Sequence, residues 1–256
     1  MELFYSCQTF WPYPLKTFPP KTAKYIQEQF VEIPDGIFRM GSLEGEKDAQ
    51  PYKRHLRSFY ISRHEVTVEE YVFFLNAIKA TNLMNHTQLI SQSGTIRPRK
   101  GTHKKPITHV HYNDAIHYCD WLSKEKNVLI RLPTEPEWEV AARGGIHGSR
   151  YPWGWGFPHK KRECFDEKGP KSVGMYKPNP YGIYDMAGNV FEWCLIQKKS
   201  IQTKKRVARG GSWAEKSPKL LRVFHRTWFP TGYRGQDVGF RIVIENDTTT
   251  LAMLTF

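Results

Sequence analysis

The sequence predicts an α+β fold that is rich in loops, with few short helices and small antiparallel sheets. Three observations lead to this fold class. Aromatic residues make up 14% of the 256 residues, beside 17 prolines and 19 glycines, and this mixture of rigid anchors and turn formers argues against a helical bundle. Three segments combine a helix start signal with an apolar stripe. Residues 151–240 keep no hydrophobic period, so side-chain anchors, buried polar networks or bound ions must hold them.

The first third of the chain contains a leader, strand signals and one well-marked helix. Residues 1–29 are predicted to form an irregular leader, because they are aromatic and interrupted by proline. Residues 30–40 alternate in hydropathy around Pro34-Asp35-Gly36, which predicts a short hairpin. A strand is expected at residues 58–61. Thr67 is a good N-cap for the helix that follows, because two glutamates occupy its first turn.

The rest of the chain adds two further helices. Residues 81–105 are predicted to be a long polar connection. A second helix begins near Asn113, and a third is capped by Thr134 and ended by Gly144. The last residues, 246–256, are a threonine-rich tail to which no role is assigned.

The net charge of the chain indicates which kinds of partner it can attract. Lys and Arg number 38 against 25 Asp and Glu, a formal net charge of +13, which permits attraction to nucleic acid, anionic lipid or an acidic protein. The basic residues occur in small groups within predicted loops, so solvated loop charge is favoured over a polyanion site and nucleic acid is not the favoured partner. These groups are Arg97-Pro98-Arg99-Lys100, Lys104-Lys105, Lys160-Lys161-Arg162, Lys198-Lys199 and Lys204-Lys205-Arg206.

Cysteine usage and hydropathy point to an intracellular protein. The spacing of Cys7, Cys119, Cys164 and Cys194 fits neither a zinc site nor a dense disulfide framework. No apolar run is long enough for a transmembrane helix, and the first residues lack the pattern of a standard signal peptide. A cytoplasmic location is therefore expected, and export by a non-standard signal is left open.

Eight segments, in order, resemble the formylglycine-generating-enzyme (sulfatase-modifying factor) family. They include Ile33-Pro34-Asp35-Gly36, Arg131-Leu132-Pro133-Thr134-Glu135-Pro136-Glu137-Trp138, Gly188-Asn189-Val190-Phe191-Glu192-Trp193, Arg209-Gly210-Gly211-Ser212-Trp213 and Gly239-Phe240-Arg241. The likeness covers residues 30–243. It implies one domain over residues 30–245 with the C-type-lectin-like fold of that family, and most of the motif residues are interpreted as architecture.

The resemblance also shows which chemistry is missing. Oxidising members of the family bind copper through two cysteines just after the Gly-Gly-Ser-Trp segment, where soft thiolates suit Cu(I). Those positions here are Glu215 and about Leu220, so copper binding and formylglycine generation are not expected.

Two classes of function remain open. The first, which we favour, is a non-catalytic module that binds a protein or a small acidic ligand, since the family scaffold can display ligand-binding residues in the corresponding stretch. Aromatic and arginine side chains are frequent hot-spot residues, and the candidates here are Arg222, His225, Arg226, Trp228, Tyr233 and Arg234. The alternative is an oxidoreductase with a changed active site, either carboxylate-based, with Glu215 as general base, or built on a non-heme metal.

Two metal sites can be considered from the sequence. In the family, the loop that corresponds to residues 188–193 holds a structural calcium, and Asn189 and Glu192 offer suitable hard oxygen ligands. Calcium is therefore the expected cofactor. His109 and His111 would share a face if they lay on a strand, but two histidines do not complete a site for a transition metal.

Overall fold

The computed structural model describes residues 20–44, 49–80, 86–159, 163–195 and 204–245. The helices are α1 (Pro20–Gln29), α2 (Val68–Ala77), α3 (Tyr112–Lys126) and α4 (Glu135–Arg143). The strands are β1 (Phe30–Ile33), β2 (Gly36–Met40), β3 (Tyr52–Leu56), β4 (Phe59–Ser62), β5 (Leu89–Gln92), β6 (Thr95–Pro98), β7 (Ile130–Arg131), β8 (Phe191–Trp193), β9 (Lys205–Arg209), β10 (Thr227–Pro230), β11 (Val238–Gly239) and β12 (Val243–Glu245). The predicted α+β, loop-rich class is confirmed.

The end of the expected leader is ordered as a helix. Pro20 occupies the first position of α1, where a missing N–H costs nothing. Ile26 is fully buried, and Tyr25 packs edge-on against Phe30 with ring centroids 5.4 Å apart. The prediction of an irregular segment was therefore wrong for these ten residues, because prolines that break a helix interior also suit a helix start. The rest of the leader, the tail from residue 246, and the basic groups at residues 160–162 and 198–199 lie outside the described residues.

Two four-stranded sheets and two hairpins carry the strand pairing. One sheet has the order β1-β4-β12-β7 and the other the order β10-β9-β8-β11, in which β11 runs parallel to β8. The hairpin predicted at residues 30–40 is wrong: β1 pairs with β4 and β2 pairs with β3, so the turn after Ile33 passes the chain from one sheet to another.

The region predicted as a long polar connection contains a hairpin. Strands β5 and β6 pair through a turn at Ser93 and Gly94, whose φ angles are 51° and 75°. Two consecutive left-handed residues make the turn that matches the twist of a hairpin, and the Ser-Gly pair was the available sequence signal.

The helix starts agree closely with the sequence. Thr67 and Thr134 each form a capping box with the glutamate three residues later. Gly144 ends α4 in the left-handed region with φ 59°, and His111 is the N-cap residue of α3.

Two large apolar clusters fill the interior, and the motif segments lie between them. Trp193 belongs to one cluster and Trp138 to the other, and both are fully buried. Strand β8 supplies Trp193 and, beside it, Glu192. A carboxylate in this position must be neutralised within the protein, and this requirement organises the centre of the molecule.

Candidate functional site

Glu192 and Arg241 form a buried ion pair at the centre of the fold. The side-chain exposures are 1% and 0%, and Arg241 Nε lies 2.7 Å from Glu192 Oε2. Trp138 Nε1 also donates to Glu192 Oε2, at 2.6 Å. The remaining guanidinium donors bind the Ser62 and Tyr184 carbonyls. Three sequence motifs are thus joined by one carboxylate.

The side chain of Asn189, like that of Glu192, is fixed by hydrogen bonds within the protein. Its φ of 58° is left-handed, its Oδ1 accepts from the Lys171 N–H at 3.0 Å, and its Nδ2 donates to Glu65 Oε1 at 2.9 Å. The preceding Gly188 approaches the Cys164 carbonyl so closely that a Cβ would lie 2.3 Å from that oxygen, so only glycine fits.

In this structure the side-chain oxygens of Asn189 and Glu192 already accept hydrogen bonds. Both oxygens of Glu192 accept from Arg241, and the Asn189 oxygen accepts a backbone N–H. Among the residues that the structure describes, no group of three His, Cys, Asp or Glu side chains is arranged to hold a metal ion. The calcium site at these two residues stays a prediction.

A second pair of carboxylates, which the sequence analysis did not select, lies beside them. Glu65 is 1% exposed, and its Oε2 is buried and accepts no hydrogen bond within the described ranges. Burial raises the pKa of Glu65 well above its usual value, and the Asp185 charge adds to this. Burial also raises the pKa of Asp185 from 3.8 to about 6. With Glu192, three carboxylates face one guanidinium, so either a proton shared by Glu65 and Asp185 or a bound cation relieves the repulsion.

Glu215 lies on a loop that two other segments hold in place. Its carbonyl accepts from the Asp166 N–H at 2.9 Å, and Trp213 Nε1 donates to the Gln236 carbonyl at 3.2 Å. Partial burial raises the pKa of Glu215, and the Asp237 charge adds to the effect. Leu220 lies in a single 3₁₀ turn, Pro218–Leu221. The described residues include three cysteines, Cys119, Cys164 and Cys194. All three are buried, and none is at the position of Glu215 or Leu220.

The six predicted ligand-binding residues divide into two groups. We call Arg222, His225, Arg226 and Trp228 the Trp228 surface. Trp228 is 43% exposed on β10, whose neighbour in the sheet is β9. Arg226 forms an ion pair with Glu135. This segment therefore combines an exposed aromatic side chain with one arginine, Arg226, that an ion pair already orients.

The other group forms around Arg234 and includes histidines. We call Tyr233, Arg234, His86, His109 and His111 the Arg234 site. Arg234 Nη2 donates to Asp114 Oδ2 at 2.7 Å and lies 3.2 Å from His111 Nδ1. The ring centroids of His86 and His109 are 5.4 Å apart.

Tyr233 completes the Arg234 site. Its ring stacks on Phe229 at 4.3 Å and its hydroxyl donates to Asp237 at 2.8 Å. The hydrogen bond, the Asp237 charge and burial together raise the Tyr233 pKa, with burial the largest cause.

The two histidines noticed in the sequence do not lie on a strand. His109 has a left-handed φ of 58° and His111 is the N-cap residue of α3. His109 instead meets His86, which comes from the other end of the β5–β6 region. No periodic pattern predicted this pairing, because the left-handed backbone of His109 interrupts the alternation that a strand would have.

No helix in the described parts of the chain is long and apolar enough to cross a membrane.

The chain is similar to known proteins over most of its length. Residues 16–246 match the family described as "Sulfatase-modifying factor enzyme 1-like domain". The chain is 34% identical over 241 residues to the serine/threonine-protein kinase pkn1 of Chlamydia pneumoniae, which covers 84% of this chain and 38% of that protein. It is 40% identical over 134 residues to the inactive C-alpha-formylglycine-generating enzyme 2 of Bos taurus, which covers 46% of this chain and 42% of that protein.

A solved structure agrees in fold. PvdO from Pseudomonas aeruginosa superposes with a TM-score of 0.68 at 27% sequence identity, over 84% of this chain and 94% of PvdO. A loop-rich α+β domain organised around one buried carboxylate is the class that these observations define. The chain belongs to the sulfatase-modifying-factor (formylglycine-generating-enzyme) family. It spans less than half the length of the two curated relatives, so their whole-protein activities do not transfer with the domain.

Proposed function

We propose that this domain is a non-catalytic recognition module that binds an acidic protein segment or a small acidic ligand. The observation that carries the proposal is Trp228, which is 43% exposed on β10, two residues along the chain from Arg226. Tryptophan and arginine are the side chains most enriched at binding hot spots. The net charge of +13 favours an acidic partner. By the family resemblance, Glu215 and a residue at or near Leu220 stand where oxidising members have their two copper-binding cysteines. Their replacement supports a module without copper chemistry.

A labelled poly-glutamate peptide tests this proposal by fluorescence anisotropy. We expect Trp228→Ala to weaken binding by at least tenfold, about 1.4 kcal/mol, because an exposed aromatic anchor is lost. Trp155→Ala is the matched control, since Trp155 is 60% exposed and lies in a loop away from β10. Equal affinities for both variants would contradict a binding role for the Trp228 surface.

One observation favours the oxidoreductase alternative. Glu215 occupies a position of a family copper ligand, and burial and the Asp237 charge raise its pKa, as expected of a general base. Oxygen consumption by the purified protein with a cysteine-containing peptide separates the two functions. The recognition module predicts none above background, and consumption that Glu215→Gln abolishes would support the enzyme.

We also propose a structural calcium ion beside Asn189. The observations that support it are the buried Glu65 oxygen without a hydrogen-bond donor and the excess of carboxylates over Arg241. The predicted ligands Asn189 and Glu192 lie beside Glu65 and Asp185, which would join them around the ion, and backbone carbonyls would complete the shell, as calcium accepts.

A further inference from the structure

Strand β10 is an open edge of the second four-stranded sheet. It is the first strand in the order β10-β9-β8-β11, and within the described ranges no strand pairs with its other side. The strand at the opposite edge, β11, has only two residues. An edge strand presents N–H and C=O groups that its own sheet does not use. What β10 offers to a partner therefore depends on which of its main-chain groups point outward.

Two hydrogen bonds fix the direction of these groups. The Thr231 N–H donates to the Lys204 carbonyl at 2.9 Å, and this pair continues the register in which Trp228 is opposite Val207. Hydrogen-bonded and non-bonded pairs alternate along an antiparallel ladder, so Trp228 and Val207 form a non-bonded pair. The Cys194 N–H donates to the Val207 carbonyl at 3.1 Å, which agrees, because Val207 then faces β8. Trp228 therefore directs both its N–H and its C=O away from β9.

Pro230 limits the open edge to a single residue. It has the same outward phase as Trp228, two positions along the strand, but a proline has no N–H. Its carbonyl already accepts from the Tyr233 N–H at 2.9 Å. A proline on an edge strand restricts uncontrolled pairing with other chains. A strand added to β10 therefore has one register, in which a residue of the added strand exchanges both hydrogen bonds with Trp228.

The side chains beside this edge combine an apolar surface with a positive charge. Residues two apart on a strand share a face, and so do residues directly opposite each other. Trp228, Pro230 and Lys205 therefore lie on one face, where Lys205 is opposite Pro230, and all three are exposed. An added strand would lie two strand spacings, roughly 10 Å, from the Lys205 backbone. A lysine and a glutamate side chain together span that gap.

We propose that the open edge of β10 binds an extended acidic peptide as an added strand. The peptide main chain pairs with the N–H and C=O of Trp228, an apolar side chain packs on the indole, and a carboxylate meets Lys205. A second copy of this chain is a less suitable occupant, because each copy has a net charge of +13. The inference rests on the proposed function and deepens it, because it names the conformation of the ligand and the main-chain groups that hold it.

The test compares labelled peptides on the unchanged protein by fluorescence anisotropy. The first is a peptide of alternating valine and glutamate, and the second has the same sequence with N-methyl groups on its central residues. N-methylation keeps the charge and the side chains but removes the N–H donors that a strand needs. We expect it to weaken binding at least tenfold. A third peptide, of alternating valine and glutamine, measures the contribution of the carboxylates and should also bind more weakly.

Hydrogen exchange measured by NMR identifies the contact on the protein. A saturating amount of the valine-glutamate peptide should slow exchange of the Trp228 amide at least tenfold. The Phe229 amide is the internal control, because Phe229 is in the inward phase opposite Arg206 and its exchange should change less.

A variant that restores a donor gives the opposite sign. Pro230→Ala adds an outward N–H to the edge, and we expect it to tighten binding of the unmethylated peptide about threefold to tenfold, the effect of one hydrogen bond. Pro178→Ala is the matched control, since Pro178 is exposed in a loop, and it should leave the affinity unchanged.

Three results would overturn the added strand. They are equal affinities for the methylated and unmethylated peptides, an unchanged exchange rate of the Trp228 amide at saturation, and a dimer of the free protein that the peptide dissociates. Binding of poly-glutamate that depends on the Trp228 side chain but not on peptide N–H groups would leave the recognition function standing without the strand. Equal affinity for the valine-glutamine peptide, still reduced by N-methylation, would reject recognition of an acidic ligand and support the edge.

Discussion

At the scale of single residues, one arginine explains why several motifs have their composition. Arg241 binds Glu192 and the carbonyls of Ser62 and Tyr184. The sequence identified the segments that contain Glu192 and Arg241 as architecture, and this interpretation agrees with the structure. It did not identify the pairing, because the two residues are 49 positions apart and no local pattern links them.

Removal of Arg241 should therefore be costly. We expect Arg241→Met to lower the free energy of unfolding by about 3–5 kcal/mol, since Glu192 would be left buried without a counter-charge. Urea denaturation measures this change. The control is Lys24→Met, because Lys24 and Glu28 form an exposed pair with side-chain exposures of 76% and 55% that should contribute less than about 1 kcal/mol. A loss below about 1 kcal/mol for Arg241→Met would show that the pair is not essential.

At the scale of elements, helix ends were predictable and strand partners were not. Threonine caps and Gly144 act within one helical turn, so Thr67, Thr134 and Gly144 were all found from the sequence. Strand pairing depends on contacts between distant segments. The turn after Ile33 looked like a hairpin, yet its two strands pair with different partners.

The C-cap of α4 provides a test at this scale. Gly144 has φ 59°, and a Cβ there would lie 2.8 Å from Pro180 Cδ. We expect Gly144→Ala to lower the free energy of unfolding by about 2–4 kcal/mol, from left-handed strain together with overpacking. Gly94→Ala is the control, because Gly94 has φ 75° but no atom near its added Cβ, and about 1–2 kcal/mol is expected from strain alone. Equal losses of stability for the two variants, in thermal or urea denaturation, would mean that Pro180 moves away from the added Cβ at no energetic cost.

The residues of the candidate sites also divide into those that local sequence patterns predict and those that only the folded structure reveals. Glu215, Tyr233 and Arg234 could be selected from the sequence because they follow recognisable segments. His86 and Glu65 could not, because each becomes relevant only through a partner that is distant in the chain, His109 and Asn189 respectively.

At the scale of the whole molecule, the proposed calcium ion predicts that stability depends on calcium. We expect about one equivalent of calcium by mass spectrometry of the purified protein, without stoichiometric copper or iron. A ligand at 100 times its Kd contributes about 2.7 kcal/mol, so a chelator should lower the melting temperature by about 5–10 °C. In calcium, Glu65→Gln should be destabilising, because it removes a ligand charge, and in the chelated protein the loss of stability should be smaller. If the chelator leaves the melting temperature unchanged, a proton shared by Glu65 and Asp185, and not calcium, relieves the repulsion between their carboxylates.

The order of strands in the first sheet has a consequence for synthesis and assembly. Strand β12, at residues 243–245, lies between β4 and β7, so the last strand that the structure describes is an internal member of its sheet. The ribosome must release nearly the whole domain before β4 and β7 acquire a common neighbour. Until then two strand edges stay open to pairing with other chains. A chain interrupted before residue 243 would not be a smaller version of this domain but a precursor with exposed edges, prone to self-association.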